Sequence, residues 1–167
     1  MIARLMFTYV DFAARKGLAD PPAPEASAKD QARRTGVRGE TYAYWYLRRH
    51  GYTLIARNYT SPGLKGEIDM VGYDGRVLAF VEVKTRSLAN AQPPALPRNS
   101  AAANQPRPEQ AVNENKRRNL KRMALQFLRA RRLDSSACRF DVLAIESRAG
   151  ARPVIRLHKG AFAAEFN

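Results

Sequence analysis

Gly66-Glu67-Ile68-Asp69-Met70-Val71-Gly72-Tyr73-Asp74-Gly75-Arg76-Val77-Leu78-Ala79-Phe80-Val81-Glu82-Val83-Lys84 decides how this chain folds. Two aliphatic, β-branched runs are joined by Asp74-Gly75, a strong short-range signal for a two-residue hairpin turn. With Asp74 and Gly75 as the central turn residues, Tyr73 faces Arg76. Pairing outward then sets Val71 opposite Leu78, Asp69 opposite Phe80 and Glu67 opposite Glu82. Strand side chains alternate sides, so Glu67, Asp69, Phe80, Glu82 and Lys84 share one face. The other face carries Ile68, Met70, Gly72, Val77, Ala79, Val81 and Val83, is apolar throughout and requires burial.

The first face is also apolar near the turn, through Val71, Tyr73, Leu78 and Phe80, and turns acidic only at its far end. In this register Asp69 and Glu82 are diagonal neighbours roughly 7 Å apart, within reach of one small ion. Like charges this close destabilise a sheet unless a cation neutralises them. Lys84 offers one positive charge against Glu67, Asp69 and Glu82, and a divalent ion, Mg²⁺ or Mn²⁺, would supply the remainder. The competing reading is an edge hairpin with solvated surface ion pairs, each contributing little. Apolar neighbours on both sides of the strand weigh against it.

A chain of 167 residues suits one domain. Its net charge of +14 calls for an acidic partner, nucleic acid or an anionic surface. The single cysteine, Cys138, excludes an internal disulfide and the cysteine-rich zinc frameworks, and fits a reducing compartment. No apolar run is long enough to span a bilayer, and the expectation is a cytoplasmic protein without a membrane partner.

Residues 1–34 read as an extension: a short amphipathic helix through Leu5, Met6, Tyr9, Val10 and Phe12 with no evident partner face, then a flexible Pro-rich tether. Thr35 caps a helix running to about His50 and ended by Gly51. Gly36, Glu40, Ala43 and Leu47 share one side of it. Tyr52 to Tyr59 form a first strand, and the hairpin follows. Residues 87–108 are rich in Ala, Asn, Pro and Gln and read as a disordered insertion.

A long helix covers about Glu109 to Arg132, burying Val112, Leu120, Met123, Ala124, Phe127 and Leu128. It carries Lys116, Arg117, Arg118, Lys121, Arg122, Arg129, Arg131 and Arg132 against one acid, Glu114, between positions 112 and 132, which makes it the best phosphate-tracking surface. Strands at Arg139–Glu146 and Val154–His158 complete a domain spanning 35–160, with 161–167 as a tail. Asp141 reads as a structural ion-pair partner, and His50 and His158 have no partners at metal-ligand spacing. Tyr42, Tyr44, Trp45 and Tyr46 serve core packing at least as well as base stacking.

Gly66-Glu67-Ile68-Asp69 with Phe80-Val81-Glu82-Val83-Lys84 resembles the PD-(D/E)xK nuclease signature, and more narrowly the small bacterial YraN-like proteins, which are similar to archaeal Holliday junction resolvases. The resemblance extends to Gly36-x-x-Gly39-Glu40, Gly51-Tyr52 and Arg139-Phe140-Asp141-Val142. It implies an α/β fold with a restriction-endonuclease-like core, a central mixed β-sheet flanked by helices. It also implies a metal-dependent nuclease acting on DNA, with branched structures as substrates. A homodimer is a further candidate partner, by which two subunits could cut two strands. Glu40, Asp69, Glu82 and Lys84 would be catalytic. Asp69, Glu82, the Val83 carbonyl and Glu40 would hold the metal, with Glu67 orienting them from outside. Arg57, Lys65, Arg86, Lys116, Arg117 and Lys121 are the candidate nucleic-acid contacts, Lys116 pointing towards the acidic end. The alternative is a nucleic-acid-binding module that keeps the scaffold without catalysis.

Overall fold

The computed structural model describes residues 2–17, 27–87, 114–134, 137–147, 152–164 and 166. The elements run α1 (Ile2–Gly17), α2 (Ala28–Arg49), β1 (Tyr52–Tyr59), β2 (Ile68–Asp74), β3 (Val77–Ser87), α3 (Glu114–Arg131), β4 (Cys138–Ser147) and β5 (Val154–Phe162). The five strands form one sheet in chain order, antiparallel except for β3 and β4. Parallel neighbours need a crossover, and α3 lies between them in sequence. Helices α1 and α2 cover one face of the sheet, and α3 covers the other. This is the mixed sheet flanked by helices of a restriction-endonuclease-like core. The expected insertion at 87–108 lies, apart from Ser87, outside the described residues.

Each face is apolar for the reason the alternation gives. Met70, Ala79 and Val81 pack with Leu143 and Ile145 under Tyr42, Ala43 and Leu47 of α2. Val71, Leu78 and Phe80 pack with Phe140 and Val142 against Leu120, Met123, Ala124, Phe127 and Leu128 of α3. Ile68, expected beside Met70, joins this second cluster at the start of its strand.

The hairpin register differs by two residues from the expected one. Asp74 pairs with Val77, Tyr73 with Leu78, Val71 with Phe80 and Met70 with Val81. The loop is therefore Gly75-Arg76, led by Gly75 at φ 63°, a position glycine occupies without strain. Asp74 stays in the strand because its carboxylate is held by Arg139 and by Lys159 at 2.6 Å. An even shift preserves which side each residue faces.

Two helix expectations also change. The N-cap of α2 is Ser27 rather than Thr35: its hydroxyl accepts the Asp30 N–H at 3.2 Å and donates to the Asp30 carboxylate at 2.6 Å. Residues 28–34, expected as tether, are helical. Helix α1 does have a partner face: Phe7 is buried edge-on to Tyr42, and the buried Asp11 accepts the Tyr42 hydroxyl at 2.6 Å and pairs with Arg152 at 2.9 Å. Strand β5 runs four residues past His158, to Phe162.

Asp141 is the structural ion-pair partner expected of it. Fully buried, it accepts from Tyr52 at 3.0 Å, from Arg139 at 2.8 Å and from the Gly160 N–H at 2.9 Å. Those bonds tie β1, β4 and β5 together.

Gly39 sets how closely α2 approaches the sheet. A Cβ there would overlap the Thr85 hydroxyl and lie 3.0 Å from the Thr85 Cβ. Gly39→Ala should therefore lower stability by about 1–3 kcal/mol in urea titration, although alanine is the better helix former by about 1 kcal/mol. Adding Thr85→Ala should recover part of the loss, whereas a single Gly39→Ala variant more stable than the parent would refute this packing.

Candidate functional site

The site arises where two strands part. Pairing of β2 with β3 ends at Met70 and Val81, yet β3 continues beside β4 as far as Ser87 opposite Ser147. From Glu82 onward, the side of β3 that faced β2 has no ladder partner among the described residues. There the Val83 N–H donates to Asp69 Oδ2 at 2.6 Å. A strand residue's carbonyl faces the same side as its N–H, so the Val83 carbonyl opens into the same gap.

In the observed register Asp69 and Glu82 are the next positions beyond the last pair, Met70 with Val81, and both line the gap that opens there. Asp69 is 9% exposed and Glu82 is 3% exposed. Burial, reinforced by the Glu82 charge, pushes the Asp69 carboxyl up to about 7, and the Val83 N–H opposes the shift only in part. Glu82 Oε1 receives two ammoniums, Lys84 at 2.8 Å and Lys116 of α3 at 3.1 Å. Its other oxygen, Oε2, is buried with no hydrogen-bond partner.

A cleft of about 450 Å³ opens over these groups, lined by Thr35, Gly36, Glu40, Asp69, Glu82, Val83, Lys84 and Thr85. The expected catalytic residues Glu40, Asp69, Glu82 and Lys84 thus meet at one place, with Val83 among them. Glu40 comes from the helix that Gly39 lets approach, near enough for its charge to help raise Asp69. Lys116, in the first turn of α3, arrives from the opposite face of the sheet and points to the acidic end, as expected. Among the described residues no three side chains of the Asp, Glu, His and Cys kinds stand close enough to form a ready metal cage. The pair Asp69 and Glu82, with the Val83 carbonyl and water, matches the one or two carboxylates by which Mg²⁺ is usually held. The lone Glu82 Oε2 fits such an ion, because a buried carboxylate oxygen without a partner is costly.

Other expected residues are placed elsewhere. Glu67 is exposed and does not line the cleft. Arg57 lies over the Tyr44 ring at 5.0 Å, and Lys65 and Arg86 are exposed on the loop before β2 and near the end of β3. Arg117 lies over Phe162 at 5.5 Å, and Lys121 lines a separate groove with Arg118 and Arg122. The aromatic run of α2 serves packing: Tyr42 is buried, Tyr44 meets Trp45 edge-on at 4.9 Å, and Tyr46 stacks on His50. Sequence reasoning missed Thr35 and Thr85 as cleft walls; the signal available was that Thr85 directly follows Lys84 and that Thr35 lies five residues before Glu40.

The profile of a family described as "Uncharacterised protein family UPF0102" matches residues 39–145. The chain belongs to the UPF0102 family. It is 37% identical over 145 residues to a UPF0102 protein of Koribacter versatilis, covering 87% of this chain and 90% of that one. A UPF0102 protein of Solibacter usitatus is 40% identical over 124 residues, 74% of this chain and 82% of its own length. One of Symbiobacterium thermophilum is 37% identical over 131 residues, 78% and 98% respectively. This accords with the resemblance to YraN-like proteins. The UPF0102 match begins at Gly39 and takes in Glu40, Asp69, Glu82, Lys84 and Lys116, so the whole cleft apart from Thr35 and Gly36 lies within it. Among the described residues of this UPF0102 protein no helix is long and apolar enough to cross a membrane.

The raised Asp69 carboxyl has a definite sign. Its ionisation is resisted by the fold, so the cost is absent below pH 4, grows between pH 4 and 7 and is complete above 7. Asp69→Asn should therefore stabilise the metal-free protein at pH 8, on the order of a few kcal/mol, and change it little at pH 4. Denaturant titrations in chelator at both pH values check this, and a variant destabilised at pH 8 would contradict it.

Proposed function

We propose that this UPF0102 protein is a divalent-metal-dependent nuclease that hydrolyses DNA phosphodiester bonds, with branched or irregular structures as its substrates. The observation that carries the reading is the buried Glu82 Oε2 without a partner, beside an Asp69 carboxyl raised by burial and by Glu82 itself. Asp69, Glu82 and Glu40 bring three acidic groups to the cleft against the ammoniums of Lys84 and Lys116. A site with more acid than base, in a protein of net charge +14, is poised for a cation and not for general solubility.

Asp69 and Glu82, with the Val83 carbonyl, would hold Mg²⁺ or Mn²⁺, and Glu40 would orient water bound beside it. When bound, such an ion polarises a phosphate oxygen and makes water more acidic. Lys84 is anchored on Glu82 at 2.8 Å and half-buried on a strand, so its Nζ has a fixed position from which to donate to a developing negative charge on phosphorus-bound oxygen. Lys116 shares the same carboxylate oxygen at 3.1 Å and holds Glu82 from the opposite side. Gly36, beside which a Cβ would meet nothing within 4 Å, leaves the α2 wall low where a sugar-phosphate backbone would enter.

Incubation with Mn²⁺ or Mg²⁺ and a panel of linear, flapped, single-stranded and four-way DNA tests the activity. Asp69→Ala and Lys84→Ala should each lower cleavage by about 100-fold or more while leaving DNA affinity largely intact. Undiminished cleavage in both variants would contradict the assignment. Steeply salt-dependent binding with no cleavage on any substrate or metal would instead identify a binding module on a nuclease scaffold.

A further inference from the structure

Helix α3 presents different chemistry on its two flanks. Lys116 reaches the cleft, whereas Lys121, about 140° further round the helix, turns towards the segment that follows β5. A groove of about 770 Å³ lies there, lined by Asn115, Arg118, Asn119, Lys121, Arg122, Leu125 and Phe166. Three cations and two amides surround an apolar wall made by Leu125 and Phe166, and among the described residues no acid lines it. Arg118 and Arg122 stand one turn apart, a like-charge pair that weakens the helix unless an anion lies over both. The Arg118 guanidinium is held in place by the Asn115 side-chain oxygen. Phe166 is fixed from behind by Phe140, 6.2 Å away, and remains half-exposed to the groove.

We infer that this groove is a second nucleic-acid contact, taking a single DNA strand with its phosphates on Arg118, Lys121 and Arg122 and a base stacked on Phe166. The choice of DNA rests on the nuclease reading; the groove itself rests on its own residues. Guanidiniums match phosphate oxygens in a planar fork. An aromatic side chain recessed in a groove reaches the face of an unpaired base, whereas duplex bases hide their faces in the stack. Helix α3 links the two places: Lys116 pairs with Glu82 of the cleft, and Lys121, five residues further on, lines the groove.

Anisotropy of a fluorescein-labelled oligo-dT, measured with the full chain in chelator across a salt series, tests the inference without cleavage. The triple variant Arg118→Gln, Lys121→Gln, Arg122→Gln should bind at least 10-fold more weakly, with the slope of log K against log salt shallower by about 2. Its unchanged thermal transition would show that the fold is intact. Phe166→Leu should weaken oligo-dT by about 5-fold or more but leave an abasic oligonucleotide unaffected. Should Phe166→Leu prove unstable, photo-crosslinking of a 5-iodouracil oligonucleotide to the wild-type chain should label the peptide containing Phe166. Wild-type affinity in the triple variant, crosslinks confined to other peptides, or poly-glutamate binding as tightly as oligo-dT would each overturn the inference. Cleavage with an inert groove would defeat this inference alone, and groove binding without cleavage would defeat the nuclease reading alone.

Discussion

Asp69 and Glu82 sit side by side on adjacent strands, nearly out of water, and the cost of that placement organises the chain around them. One oxygen of Glu82 is satisfied twice over by lysines from a strand and a helix, and the other is satisfied by nothing. Asp69 is met by a backbone N–H that the parting strands leave available. A fold selected for stability alone would replace such a pair with apolar residues, since buried charge seldom returns what its desolvation costs. The pair stands instead where β2 and β3 part, at the floor of the cleft.

The rest of the architecture can be read as support for that pair. Strand β3 must outrun β2 so that its edge is open where the acids lie, and β4 holds the overhang by pairing along its whole length. Gly39 removes the one side-chain atom that would keep α2 off β3, which brings Glu40 to the cleft. On the other face, the buried stripe of α3 fixes the rotation of the helix. That rotation sends Lys116 towards Glu82 and Lys121 to the opposite flank. At the turn end of the sheet, Arg139 ties Asp74, Asp141 and Tyr52 together, keeping charged groups paired where no chemistry is expected of them.

Much of this was legible in the residues. Alternation separated the two faces of the hairpin, β1 has the expected bounds, and the described members of the α3 stripe are all buried. What stayed hidden depends on contacts between distant residues. An Asp-Gly pair marks a turn but does not say whether the aspartate belongs to it; Arg139 and Lys159, 65 and 85 positions away, keep Asp74 in the strand. The cap at Ser27 was obscured by the prolines before it. Helix α1 looked partnerless because its only buried acid, Asp11, is matched by Tyr42 and Arg152, 31 and 141 residues further on. The two-residue register error did not separate the acids: Asp69 and Glu82 follow the last pair, Met70 with Val81, and both line the cleft beyond it.

If a divalent ion binds between Asp69 and Glu82 as proposed, anomalous diffraction from crystals of the full chain soaked in Mn²⁺ will show a peak about 2 Å from an Asp69 oxygen and from Glu82 Oε2, absent in an Asp69→Ala crystal soaked in the same way. Manganese bound elsewhere on the protein with this pair left bare would rule that placement out.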